Sequence, residues 1–300
     1  MNPSTIGNGY VVIAALLWGT TGTAARLAPA LSPITIAAVA MGIGGLLQAL
    51  LAWSAITTSL SLLAKQRRLL VSGACAVAIY PLAFYSAMDF AGVAVGTVVS
   101  IGSAPLFSAF IENRLERSPL SKQWWLGAII GVSGIILLAQ NPHSTTHAAS
   151  DSAIHFITGI GLGLVAGLTY AFYSWTARNM MMQGMTSRAA MGATFGLGGL
   201  LLLPLLVYTG APLVHAWRNA AVGGYMALFP MCVGYLCYGA GLARIKSSVA
   251  TAITLLEPVV AALLAVMVLN EALSPSAWLG IALIVGSLGV IAWPTRRITA

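Results

Sequence analysis

Few residues in this sequence can do chemistry, and one of them stands where a charge is least expected. Glu257 and Pro258 interrupt the apolar run LLEPVVAALLAVM, Leu255 to Met267. Two readings of Glu257 stand side by side. In one it exchanges a proton or contacts an amine. In the other it is structural, hydrogen-bonding a backbone carbonyl freed near the Pro258 break. A second candidate is GVSG, Gly131 to Gly134, which frames a serine as a nucleophile motif would. A serine nucleophile needs a base within hydrogen-bond reach, and His143, His147, His155 and His215 all lie in or beside loops. Gly127 and Gly131 make helix packing the better reading. A third is NPHSTTHAASDSAIHF, Asn141 to Phe156, with His143, His147, Asp151 and His155. Its Ser, Thr and Ala content reads as a linker, because no helical periodicity fixes those side chains as metal ligands. No metal site and no cofactor is expected. Without a P-loop, ATP-driven transport by this chain is excluded.

The elements that must position these residues follow from composition. The chain has 300 residues, 59% hydrophobic and 7% charged. A soluble domain carries about 25% charged residues, so this chain has too few to cover a surface in water. It reads as an all-α polytopic membrane protein. The net charge of +8 is then a matter of topology, and no basic patch interleaved with aromatics suggests nucleic acid. Cys75, Cys232 and Cys237 lie in apolar runs and read as buried thiols.

A helical span needs about 20 mostly apolar residues. Ten are expected, near 7–26, 33–53, 69–88, 92–112, 123–140, 157–177, 188–208, 219–241, 247–269 and 276–293. With the N-terminus in the cytoplasm, inside segments hold 12 of the 14 Lys and Arg residues, and outside loops hold only Arg26 and Arg218. The positive-inside rule then places both termini in the cytoplasm. Trp124, Trp125, Trp278 and Trp293 at span ends read as an interfacial belt. Arg26 and Arg178 are expected to snorkel to headgroups.

The sequence also repeats itself. APLFSAF (Ala104–Phe110) precedes EPVVAAL (Glu257–Leu263) by 153 residues, and Trp125-Leu126-Gly127 precedes Trp278-Leu279-Gly280 by the same offset. MGIGGLL (Met41–Leu47) and FGLGGLL (Phe195–Leu201) match at 154, Arg26 and Arg178 at 152. The expected organisation is a five-helix repeat over 1–140, an extracytoplasmic linker over 141–156 and a second five-helix repeat over 157–300. Five is odd, so the second repeat enters the membrane inverted, as in many secondary transporters.

Sites in inverted repeats lie near the midplane, where matching helices are interrupted. Pro105 matches Pro258, and Pro81 has a near counterpart in Pro230. All four are expected to mark helix breaks beside a cavity. Tyr80, Phe84 and Met88 share one helix face, and Met231, Tyr235 and Tyr238 share the equivalent one. Trp18 aligns with Tyr170 and Gly22 with Ser174, and Trp175 follows. Ser100, Ser103 and Thr254 add small hydroxyls. Together these read as substrate-binding positions in an aromatic cavity. Of the six acids, Glu257 alone is expected to lie deep, where a charge costs at least about 2.5–3.5 kcal/mol.

The segment EPVVAALLAVMVLNEALSPSAWLGIALIVGSLGVI, Glu257 to Ile291, resembles the C-terminal pattern of the drug/metabolite transporter superfamily in its ten-helix EamA-type branch. APLFSAFIENRLERSPLSKQWWLGAIIGVSGIIL is similar to a degraded first copy, with Ala104 in place of Glu257, and ALLWGTTGTAARL fits the first helix. Within the branch the chain is most similar to exporters of aromatic amino acids. The resemblance covers the whole chain. It implies export of small metabolites, amino acids foremost, through the bacterial inner membrane by alternating access, with no enzyme activity and a monomer as a complete carrier. The alternatives are a broad exporter of cationic drugs on the same fold, or a passive channel for small solutes.

Overall fold

The computed structural model describes residues 2–91, 93–117, 120–139, 152–269 and 273–292. Most of the expected linker, with His143, His147 and Asp151, lies outside them, as do Glu271, Trp293, Arg296 and Arg297. The linker's last residues, Ser152–Phe156, already belong to a helix. Every regular element among the described residues is helical.

In chain order the helices are α1 (Pro3–Trp18), α2 (Thr21–Arg26), α3 (Pro33–Ala37), α4 (Gly44–Leu51), α5 (Trp53–Thr58), α6 (Leu60–Lys65), α7 (Arg67–Ala91) and α8 (Val93–Ile111). Then come α9 (Lys122–Ala139), α10 (Ser152–Met182), α11 (Ser187–Thr209), α12 (Ala211–His215), α13 (Trp217–Met226), α14 (Gly234–Leu242), α15 (Ser247–Ile253), α16 (Leu256–Leu269) and α17 (Pro275–Ala292). Wide π-turns join α3 to α4 over Ala38–Ile43 and α13 to α14 over Ala227–Val233. Another, Glu112–Glu116, closes α8.

Among the described residues, seven continuous runs are long and apolar enough to cross a membrane: Pro33–Leu51, Arg67–Ala91, Val95–Glu116, Ile154–Met182, Ser187–Thr209, Trp217–Leu242 and Ser247–Val268. Two shorter apolar helices, Lys122–Leu137 and Pro275–Ile291, lie where the fifth and tenth spans are expected. The first expected span is split into α1 and α2 by a turn at Gly19 and Thr20. The chain is a multi-pass membrane protein.

Local sequence explains the helix starts. Asn2 accepts from the Ser4 N–H ahead of Pro3, and Ser32 accepts from the Thr35 N–H with Pro33 at the first helical position. Thr186 does the same for α11. Packing then joins the early and late parts of the chain. α1 packs on α14, α4 on α11, α7 and α8 on α10, and α9 on α17. Small residues set these distances: a Cβ on Gly45 would collide with the Phe195 carbonyl oxygen, so α4 and α11 meet backbone to backbone.

The start of α15 is capped from elsewhere. Lys246, at its cap position, makes no side-chain cap bond. Instead the fully buried carboxylate of Glu112, at the end of α8, accepts from the Ser247 hydroxyl at 2.7 Å and the Ser248 N–H at 3.0 Å. Its second oxygen accepts from the Ser248 hydroxyl. A negative charge against a helix N-terminus is favourable. Glu112 is fully buried at this span end because the fold brings three donors to it.

Other expectations change for similar reasons. Trp124 is 4% exposed and donates its indole N–H to the Ser248 carbonyl, so it is a packing residue, whereas Trp125 and Trp278 face outward. Cys75 is exposed on the outer side of α7, Cys232 is buried and Cys237 half-buried. Apolar neighbours in sequence did not imply a buried thiol, since the lipid-facing side of a span is equally apolar.

Replacing Glu112 with Ala strands one N–H and two hydroxyls in a dry site. Glu112→Ala is expected to destabilise the protein by about 3 kcal/mol, and Glu112→Gln by less. Thermal unfolding of the detergent-solubilised protein measures this. Equal midpoints for wild type and Glu112→Ala would contradict the capping role.

Candidate functional site

Two irregular stretches face each other in the middle of the bundle. The π-turn over Ala227–Val233 contains Pro230, which has no N–H to give. A π-turn also leaves carbonyls outside the regular ladder, and two side chains from the early part of the chain meet them. The Trp18 indole donates to the Pro230 carbonyl at 2.8 Å, and the Gln48 amide donates to the Met231 carbonyl at 3.1 Å. The other π-turn, Ala38–Ile43, contains no proline and packs directly against the first.

The proline expectation therefore splits. Pro230 sits in a π-turn, but Pro81 and Pro105 lie inside continuous helices and break nothing. Pro258 is the third residue of α16, in the first turn, where its missing N–H has no intrahelical partner to lose. The break in this span falls just before it, at Thr254 and Leu255. That break gives α16 an N-terminus inside the span, and Glu257 occupies its first turn. Carboxylate and helix start are complementary charges.

Around these irregular stretches lies a cavity lined by Trp18 and Thr21, by Ala37, Ala40 and Met41, by Tyr80, Pro81, Phe84 and Tyr85, by Met231 and Tyr235, and by Glu257. The space open to the centre of a water molecule is about 30 Å³. About 10–15 Å³ suffices for one water, so the cavity holds a few waters and no organic solute in this conformation. Among the described residues, Glu257 is the only charged one on its wall, and no basic residue lines it. Among the described residues no hydrogen bond or ion pair to the Glu257 carboxyl is present. The bond to a freed carbonyl that the structural reading expects is not present among the described residues.

The aromatic rings continue from the cavity as a solid plug. Trp18 lies 4.6 Å from Tyr235 and 5.2 Å from Tyr238, centroid to centroid, and Tyr80 lies 5.5 Å from Tyr170 and 5.7 Å from Tyr173. The phenols are satisfied by each other and by small hydroxyls. Tyr170 donates to Thr254 at 2.9 Å, Tyr173 and Tyr235 share a bond of 2.8 Å, and Ser174 and Tyr238 share one of 2.9 Å. Tyr170, Tyr173, Tyr235 and Tyr238 are each 2% exposed or less. The plug lies between the cavity and the face that carries the N-terminus, since Tyr238 is nearer than Met231 to Arg244, whose guanidinium covers the Tyr10 ring.

The expected positions thus divide. Trp18, Tyr80, Phe84, Met231, Tyr235 and Glu257 meet at the cavity. Tyr170, Ser174, Tyr238 and Thr254 belong to the plug beside it. Met88 is half-buried and off the cavity wall. Ser100 and Ser103 instead face α10, where their hydroxyls fill the space of a side chain at Gly163 and Gly167. Trp175 points away and donates to Glu116 at 2.9 Å. Sequence reasoning missed Thr21, Ala37, Ala40, Met41 and Tyr85. The spacing of Ala37, Ala40 and Met41 (i, i+3, i+4) was the available signal, a small-residue face beside the glycine-rich run.

These features define a polytopic membrane protein whose helices close around a small aromatic cavity carrying one carboxylate. Comparison with known proteins gives the family. The chain belongs to the EamA-like transporter family, which matches it twice, over residues 5–140 and 157–293. It is 32% identical over 293 residues to the uncharacterized transporter YwfM of Bacillus subtilis, covering 97% of this chain and 95% of that protein. It is 26% identical to the protein PecM of Dickeya dadantii, over 75% of this chain and 73% of that one. A probable terminal-alkyne amino-acid exporter of Streptantibioticus cattleyicolor is 24% identical over 63% of this chain and 59% of its own. A crystal structure of another protein shares the fold, with a TM-score of 0.77 over 98% of this chain and 99% of that one at 20% identity.

Trp18→Phe keeps a ring against Tyr235 and Tyr238 but removes the donor to Pro230. The expected cost is about 1–3 kcal/mol, that of an unsatisfied buried carbonyl. An unchanged unfolding midpoint in detergent would mean that the π-turn finds another donor.

Proposed function

We propose that this protein is a ten-span secondary transporter that exports small amino-acid-like metabolites, aromatic or neutral ones foremost, across the bacterial inner membrane by alternating access. Both termini are cytoplasmic, and the monomer is the transporting unit. The observation that carries the reading is the cavity: aromatic rings and one unpartnered carboxylate, drawn from early and late segments of the chain, at the level of three helix irregularities. Rings suit an apolar or aromatic side chain, with about 0.5–1.5 kcal/mol for each well-placed pair. Glu257 suits an amine or a coupling proton.

The inverted repeat has support in the packing. Exchanging the two five-span units turns the α1–α14 pair into the α10–α7 pair and the α10–α8 pair into the α1–α16 pair, and all four are in contact. The pairs α4–α11 and α9–α17 map onto themselves. Two family matches of similar length agree with this division. For alternating access, the tyrosine plug and the Glu112 cap both close the cytoplasmic side in this arrangement. A cavity of about 30 Å³ argues for a carrier that must rearrange rather than an open channel. The substrate class takes support from the relative named as an amino-acid exporter.

A second reading is favoured by one observation, the absence of any basic residue on the cavity wall among the described residues. A zwitterion would leave its own carboxylate without a cation there. A broad exporter of cationic amphiphiles would not.

Counterflow in proteoliposomes distinguishes these. With labelled aromatic and neutral amino acids, saturable counterflow is expected, faster when the outside is acidic if protons move inward as substrate leaves. Glu257→Gln is expected to reduce it at least about tenfold and to abolish its response to the pH gradient, the loss of roughly one charge-assisted hydrogen bond. Transport of organic cations alone would favour the second reading. Conductance without saturation would replace both with a channel.

A further inference from the structure

A second space lies on the flank of the bundle, toward the membrane surface opposite the N-terminus. It is a cleft between the α1–α2 turn, α13 and α16, with walls that include Thr20, Leu27, Trp217, Arg218, Val222 and Leu264. Its volume on the same measure as the central cavity is about 430 Å³. Its floor is the hydrogen bond between the Thr20 and Tyr225 hydroxyls at 2.7 Å, and the next residue, Thr21, is already on the wall of the central cavity. The cleft is therefore separated from the cavity by one turn of chain.

Its chemistry is lopsided. Apolar side chains form most of the surface, and one cation stands on it. Arg218 is exposed, with no hydrogen bond or ion pair to any described residue, and Trp217 beside it is 83% exposed. Leu228 and Phe229, further along the same span, are 43% and 45% exposed, as expected of a flank that faces lipid. Trp and Arg at a span end belong at headgroup level. A ligand that satisfies this surface needs a long apolar chain and an anion at one end. A free anion would leave the apolar walls uncovered, and a neutral lipid would leave the guanidinium unpaired.

We propose that the cleft is a binding site for a phospholipid, with one acyl chain along Leu27, Val222 and Leu264 and the phosphate paired with Arg218. A guanidinium binds two phosphate oxygens at once, which fixes the headgroup over the cleft. The bound chain lies against the α1–α2 turn on the reverse of the cavity wall. It braces the segment that carries Thr21.

Native mass spectrometry of the purified full-length protein, titrated with phosphatidylglycerol or with diacylglycerol, tests this. Wild type is expected to retain one phosphatidylglycerol at low lipid concentration and to hold diacylglycerol more weakly. Arg218→Gln is expected to weaken that binding about fivefold, the contribution of one cation to an anionic headgroup, and Arg218→Lys to preserve part of it. Ala221→Trp places a ring in the cleft from its exposed rim, leaves Arg218 in place and is expected to displace the lipid. Equal retention by wild type, Arg218→Gln and Ala221→Trp overturns the proposal. Equal affinity for diacylglycerol and phosphatidylglycerol overturns the phosphate pairing. Both substituted positions lie at the surface, and an unchanged unfolding midpoint shows that the variants fold.

Discussion

In the hydrocarbon region of a bilayer no water satisfies the backbone, so every N–H and C=O must find its partner within the protein. The rest of this structure depends on that constraint. Most of the chain meets it with continuous helix. Where the helix is irregular over Ala227–Val233, side chains from distant segments complete the accounting. Trp18 and Gln48 reach the carbonyls of Pro230 and Met231 across more than 180 residues of sequence. Irregular backbone of this kind persists only against protein or a cavity, and here it has both. The cavity sits where the helices cannot be regular.

The same constraint separates the two buried acids. Glu112 receives an N–H and two hydroxyls and stands at a helix start, so its charge is fully compensated and its role is to hold α8 to α15. Glu257 also stands in the first turn of a helix, but its carboxyl meets a cavity and no donor among the described residues. One carboxylate is saturated and the other is available. That difference in surroundings, rather than depth alone, separates an architectural acid from a chemical one.

Membership in a transporter family gives these features a common setting. The tyrosine plug and the lining around Glu257 are contiguous, with Trp18, Tyr80 and Tyr235 belonging to both. The flank cleft lies a single turn of chain behind that lining.

The membrane class and the meeting of Trp18, Tyr80, Phe84, Met231, Tyr235 and Glu257 at one cavity were legible in the sequence. Those features rest on composition and on helical spacing, which act locally and leave a periodic trace. Ser100, Ser103 and Trp175 carried the same trace, yet the fold turns the two serines into the glycine-lined contact with α10 and Trp175 toward Glu116. Spacing assigns a residue to a face but does not say which neighbour that face meets. The prolines show the same limit: Pro81 and Pro105 are absorbed in continuous helix, while a π-turn with no proline forms at Ala38–Ile43. In lipid, outward and inward faces are both apolar, so hydrophobicity could not tell Cys75 from Cys232, or Trp124 from Trp125. What the sequence determined alone was that helices must span a bilayer and which residues could share a face. Tertiary structure alone decided which carboxylate would find donors and which would not, because those donors lie about 135 residues away in Glu112's case and are absent among the described residues in Glu257's.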